Sequence, residues 1–332
     1  MDKQDFFYGY TIQKEVVEVD SSGNEQRVIY YTGEHAGCRM VVPVRDGEKS
    51  GKGLMYDQNE NVILIIDYEF DLPNGIYKKI VNGRIEEGKV RNGKRNGVCY
   101  TVVGRRFLES VKVYKEGNVV GRLCQLENNY WAYYPNNENN PLYISTFDDQ
   151  WELHGNTIFF NNRQPCKVDK YDHGHFMLTV KKFSVCNGIN QMLEYDKNDI
   201  CIYKGGYLDN VYNLFPRSGR GEEYYPNPER KELLFKGSYS FGLRDIGSYY
   251  MNGSLKYTGD WKYELPHGKG KLYQNGMIEY ESIECMLGFA FLPKDNYSYR
   301  DIITWQEYHG ISISKLDVYI QRYNERKRKE SK

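Results

Sequence analysis

The chain has 332 residues with 45 Lys+Arg and 45 Asp+Glu, so its formal charge is zero and no whole-chain field for a polyanion is expected. Tyrosine and glycine each contribute 32 residues while the mean hydropathy is −0.74, a pairing that suits a single-layer sheet: each face is half wet, and Tyr buries its ring while its hydroxyl stays hydrated. Seven scattered cysteines, never spaced C-x-x-C, argue against a zinc site or disulfide framework and for a reducing compartment.

The opening MDKQDFFYGYTIQ has no apolar leader core, and no run approaches the ~20 apolar residues that span a bilayer, so a cytoplasmic location is expected. Residues 1–43 give TIQKEVVEV, a turn DSSGN and then EQRVIYYTG, an opening hairpin that caps the first sheet edge. Hairpins are then expected from 44 to 292. Alternating runs such as VILIIDYEF (Val62 to Phe70) and LESVKVY (Leu108 to Tyr114) suit strands. Asn-Gly pairs begin at Asn74, Asn82, Asn92, Asn96, Asn187, Asn252 and Asn275, and each reads as a tight hairpin turn. Spacing is irregular across 106–202, where PNNENNP (Pro135 to Pro141) is an inserted loop.

From 203 to 292 the chain repeats itself. Phe235, Gly237 and Tyr239 recur 22 residues on as Tyr257, Gly259 and Trp261, and a longer copy starts at YKGGY (Tyr203 to Tyr207), its turn enlarged by NVYNLFPRS. In YTGDWKYELPHGKGKLYQNG the expected strands are Tyr257 to Tyr263 and Lys271 to Gln274, with a glycine-punctuated turn between them. After Pro293 the texture changes: Ser298 and Gly310 bracket a short helix, and a second follows Ser314 with Leu316, Tyr319, Ile320 and Tyr323 on one stripe.

The order aromatic-x-Gly-x-aromatic, His-Gly-x-Gly, aromatic, Asn-Gly resembles the MORN repeat (membrane occupation and recognition nexus), carried by Tyr257, Gly259, Trp261, His267, Gly268, Gly270, Tyr273 and Gly276. SGKGLMY and HGNTIFF look like single half-repeats, and EEGKVRNGKRNGVCY keeps Gly88, Gly93, Lys94 and Gly97. The resemblance implies an all-β fold, an open single-layer antiparallel sheet or solenoid of stacked β-hairpins, to which the residues after Pro293 add short α-helices at the C-terminus. Three segments follow: a capping hairpin over 1–43, the repeat array over 44–292, and a helical cap with basic tail over 293–332.

Little in the sequence offers chemistry. His154 and His267 occupy the repeat's own His-Gly position, where a ring packs at a turn. In DHGH (Asp172 to His175), His173 and His175 would share one strand face, yet without a third and fourth ligand the stretch reads as a solvated turn, and no metal or cofactor is expected. GRGEEYYPN and GEKSGKG lack the G-x-x-x-x-G-K-[ST] spacing of a phosphate loop, and no G-x-S-x-G elbow occurs. MORN repeats accompany catalytic domains in some lysine methyltransferases and lipid kinases, but no stretch is left over for such a domain. An enzyme is therefore not expected.

The expected function is a non-enzymatic scaffold for protein–protein interaction within a larger assembly. The resemblance implies cytoskeletal, ciliary or membrane-apposed settings, or a structural part of a large DNA virus. Tyr207, Tyr239, Tyr257 and Trp261 are the expected lining of a partner-binding groove. Residues 315–332 carry a net charge of +4. There Arg322, Arg326, Lys327, Arg328 and Lys329 either contact an acidic partner or anionic lipid, or merely complement a solvated helix end. The alternative function is accordingly a peripheral module on anionic membrane lipid. Nucleic acid is not an expected partner, and self-association through the terminal sheet edges is.

Overall fold

The computed structural model describes residues 11–104, 107–186, 189–229, 231–286 and 289–291. The expected C-terminal helices and all five basic tail residues, Arg322 to Lys329, lie outside the described residues. Within them the fold is all-β, with helix limited to the short 3-10 turns Gly33–His35 and Glu127–Asn129. Strands adjacent in the chain pair antiparallel, as in the ladder running from Thr11–Val19 through Glu25–Thr32 to Arg39–Arg45. None of the described helices is long and apolar enough to cross a membrane.

Two compact units divide the chain. One comprises Met1–Pro165 with Lys170–Phe176, and the other Cys166–Asp169 with Met177–Lys332. In the first unit the core is one face of the sheet. Met40, Met55, Ile66 and Tyr77 are fully buried there, and the Tyr68 hydroxyl points at Met40 Sδ, 3.3 Å away. Room for the Tyr68 ring comes from Gly53, whose added Cβ would stand 3.0 Å from the ring. By contrast, Thr11–Val19 is exposed along its whole length.

The second unit shows why the motif is aromatic-x-Gly. Cross-strand pairing aligns Gly205 with Gly221, Gly221 with Gly237, Gly237 with Gly247, Gly247 with Gly259 and Gly259 with Gly270. Residues two apart on a strand share a face, so Tyr203, Phe235 and Tyr257 lie flat over this glycine row. A Cβ on Gly221 would stand 2.6 Å from the Tyr203 ring, and one on Gly237 2.7 Å from Phe235. No side chain fits between ring and backbone at these positions. Tyr203, Phe235 and Tyr257 thus bury completely, because the sheet is thinned beneath them.

Turn chemistry follows the sequence in part. Asn82-Gly83, Asn92-Gly93, Asn252-Gly253 and Asn275-Gly276 have positive φ at both residues and close hairpins as expected. Asn74-Gly75 and Asn96-Gly97 do not: they lie inside the strands Leu72–Val81 and Lys94–Val103. The turn expected among the glycines after Tyr263 is likewise displaced. It closes at Tyr263-Glu264, and the following strand is Leu265–Gln274. Gly75, Gly97 and Gly268 each sit four residues beyond the second turn residue and take positive φ at a break in register. They are bulge glycines. Carboxylates opposite two of them collect the backbone amide the bulge frees: Ile76 N–H donates to Asp67 Oδ2 (2.9 Å) and Lys269 N–H to Asp260 Oδ2 (3.2 Å).

Candidate functional site

The expected aromatic groove is core. Tyr257 is 0% exposed, Tyr239 3% and Trp261 5%, and Tyr207 is half-buried against Phe183 and Phe215. The reason is the glycine row, which lets rings sink until they touch one another. Tyr203, Tyr239, Phe235, Trp261 and Tyr257 form an unbroken series with successive centroids 5.2 to 5.7 Å apart, all edge-to-face. Tyr239, Tyr257 and Trp261 are therefore core rather than surface, and Tyr207 is half-buried.

Against the same rings runs a buried charge network that sequence reading missed. Glu194 accepts from Lys181 (3.0 Å) and Arg217 (2.7 Å), Arg217 also reaches Glu223 (3.3 Å), and Arg244 bridges Glu223 (2.7 Å) and Glu264 (3.3 Å). Arg217 lies 4.5 Å from the Tyr203 centroid, and Arg244 5.1 Å from those of Phe235 and Trp261, so the cations also stack on ring faces. Burial works against an ionised Glu194, and the Arg217 and Lys181 charges more than offset it, holding its carboxyl below the ordinary range. Every acid here is matched by a cation, which is the pattern of structural pairing rather than of acid–base catalysis.

A concave surface does exist, in the first unit. An open groove of about 530 Å³ is lined by Ile76, Val98, Phe147 and Trp151 together with the bulge glycines Gly75 and Gly97. Trp151 has φ of 60°, a left-handed backbone that bulky residues rarely adopt, and its ring packs on Trp131, Tyr100 and Phe147 at 5.1, 5.6 and 5.9 Å. Lys89 and Glu152, paired at 3.1 Å, add a charged margin. The groove is thus lined mainly by apolar side chains, with Lys89, Arg91, Gln150 and Glu152 among its polar residues.

Near Glu152 a second group assembles. His173-Gly174 is an exposed turn, as DHGH suggested, and His173 does not share a strand face with His175; the residue it meets is His154, with ring centroids 4.8 Å apart. His154 Nδ1 lies 3.3 Å from Asp172 Oδ1, and His173 Nε2 lies 3.8 Å from the same oxygen. One ligand atom from each of His154, Asp172 and His173 falls within 4.8 Å of the others, and all three side chains are exposed. On its far side His173 Nδ1 is 2.7 Å from Asp148 Oδ2, and this hydrogen bond is the main cause of a raised imidazole pKa. The only legible signal was DHGH; His154 is distant in sequence and joins through strand pairing.

No protein-family model matches the chain, and no curated protein matches it. Among solved structures, BamB from Moraxella catarrhalis is similar at a TM-score of 0.18 and 9% sequence identity, over 83% of this chain and 91% of that one. A likeness this slight carries no argument about fold or function.

Proposed function

We propose that the protein is a non-enzymatic scaffold of MORN-type β-hairpins, stacked as a solenoid, that holds a partner protein within a larger cytoplasmic assembly. The observation that carries this reading is the groove of the first unit. Its lining combines Ile76, Val98, Phe147 and Trp151 with polar residues such as Lys89, Gln150 and Glu152, and Trp151 is presented from the loop fixed by Asp148. The 22-residue recurrence and the glycine row support the repeat reading. The occupant that fits is a partner segment presenting an apolar side chain between Ile76 and Trp151, with a charge to meet Lys89 or Glu152 at the margin.

Affinity purification from the native source, with wild-type protein and with Ile76→Asp and Val98→Asp, tests the proposal. A protein recovered by wild type and lost by both variants is expected. Identical recoveries from all three baits would overturn the groove as the contact surface.

A further inference from the structure

We propose that His154, Asp172 and His173 form a binding site for a zinc-class divalent cation, with water completing the coordination. The donor set of two imidazoles and one carboxylate suits Zn²⁺, Co²⁺ or Ni²⁺, whereas Ca²⁺ and Mg²⁺ require oxygen cages. Around a tetrahedral ion with bonds of ~2.0–2.2 Å, ligand atoms stand ~3.3–3.6 Å apart. The two distances from Asp172 Oδ1 are 3.3 and 3.8 Å and the three ligand atoms lie within 4.8 Å of one another, so an ion would draw the two exposed imidazoles closer together.

Backbone geometry aims each donor. His154 immediately precedes Gly155, whose φ of 81° marks a bulge at a register break in the pairing with Tyr143–Phe147, and bulges re-aim side chains. Asp172 ends the strand Gln164–Asp172, and His173 takes the left-handed first position of the turn beyond it.

The independent observation is Asp148. Its Oδ1 accepts from the backbone N–H groups of Gln150 and Glu152, both at 2.9 Å, which fixes the carboxylate. Its Oδ2 lies 2.7 Å from His173 Nδ1, which leaves Nε2 as the ring nitrogen on the side of Asp172 Oδ1, 3.8 Å away. A carboxylate behind a ligating imidazole is the arrangement that orients metal-bound histidines. Asp20 and Asp57 build the same backbone loop, but there the fifth loop residue is Asn24 or Asn61, whose amide occupies the second oxygen. At 152 the chain has Glu instead, and Asp148 Oδ2 is left for His173. Asp148 is thus a positioning residue, not a ligand.

The test uses the full chain, stripped with chelator, kept reduced and titrated with Co²⁺. Expected is one equivalent bound, with visible d–d absorption, no thiolate charge-transfer band, and displacement by Zn²⁺ but not Ca²⁺. His154→Ala and His173→Asn should each abolish the signal with unchanged circular dichroism, and Asp148→Asn should weaken affinity about 10–100-fold at the same stoichiometry. A d–d signal that survives both histidine substitutions, or no signal in the wild type, overturns the site. Paramagnetically shifted imidazole resonances from two histidines in the unsubstituted protein check the same coordination without any variant, and their absence also overturns it. Unchanged affinity in Asp148→Asn overturns the positioning role.

Discussion

The ring of Tyr257 rests on Gly270, the cross-strand partner of Gly259, so closely that a Cβ there would stand 2.5 Å from Cζ of the tyrosine. The atoms nearest to that Cβ all belong to the Tyr257 side chain. Gly270→Ala should therefore destabilise the protein by about 1–3 kcal/mol through overpacking. In a Tyr257→Ala background the same change should cost far less, since the obstructing ring is gone. Urea denaturation of the four proteins of this cycle measures the coupling, and additive costs would refute the contact.

Trp261 is wedged between Phe235 and Tyr257, and its indole N–H donates to the Gly247 carbonyl at 3.4 Å. Trp261→Ala leaves a cavity where five-ring packing was continuous. A loss of about 3–5 kcal/mol is expected. Thermal or urea unfolding checks it, and an unchanged transition would mean that the ring contributes nothing to the core.

Glu194 supplies the pH dependence. Its carboxyl pKa is lower in the folded chain than the ordinary 4.5, so its stabilisation is present in full above that value and is lost as pH falls through the folded pKa. Glu194→Gln removes one partner from a buried pair and should cost about 3–5 kcal/mol at neutral pH, because Lys181 and Arg217 are left short of negative charge. The deficit should shrink as pH is lowered below about 4.5. Denaturation at pH 7 and at successively lower pH measures it, and parallel curves would exclude Glu194 as the linked group.

Thiol reactivity should divide by burial. Cys285 is 4% exposed, and burial pushes its pKa up to about 12; Cys38 and Cys99 are also buried and raised for the same reason. Only thiolate reacts with alkylating agents. At neutral pH, mass spectrometry after brief alkylation should find the half-exposed Cys124 and Cys166 modified well before these three. Equal labelling would contradict the buried placement.

Much of the hairpin order was legible because its causes are local. Alternation in VILIIDYEF marks a strand, Asn82-Gly83 accepts the positive φ of a two-residue turn, and the i, i+2 spacing of Tyr257 and Gly259 places ring and gap on one face. The same locality explains the misreadings. A bulge and a hairpin turn both ask for positive φ, so Asn74-Gly75 and the glycines after His267 looked like turns until pairing with the opposite strand showed them within strands.

Local pattern by itself determined that this chain would be glycine-punctuated antiparallel hairpins with aromatics in a repeating register. Only the tertiary structure decided which aromatics are buried, since that depends on the glycine row assembled from separate strands. It also decided which charges meet: Glu194, Arg217 and Arg244 carry no local signal for one another. His154, Asp172 and His173 converge for the same reason, because ladder register and a fixed loop at Asp148, rather than sequence spacing, set the distance between them.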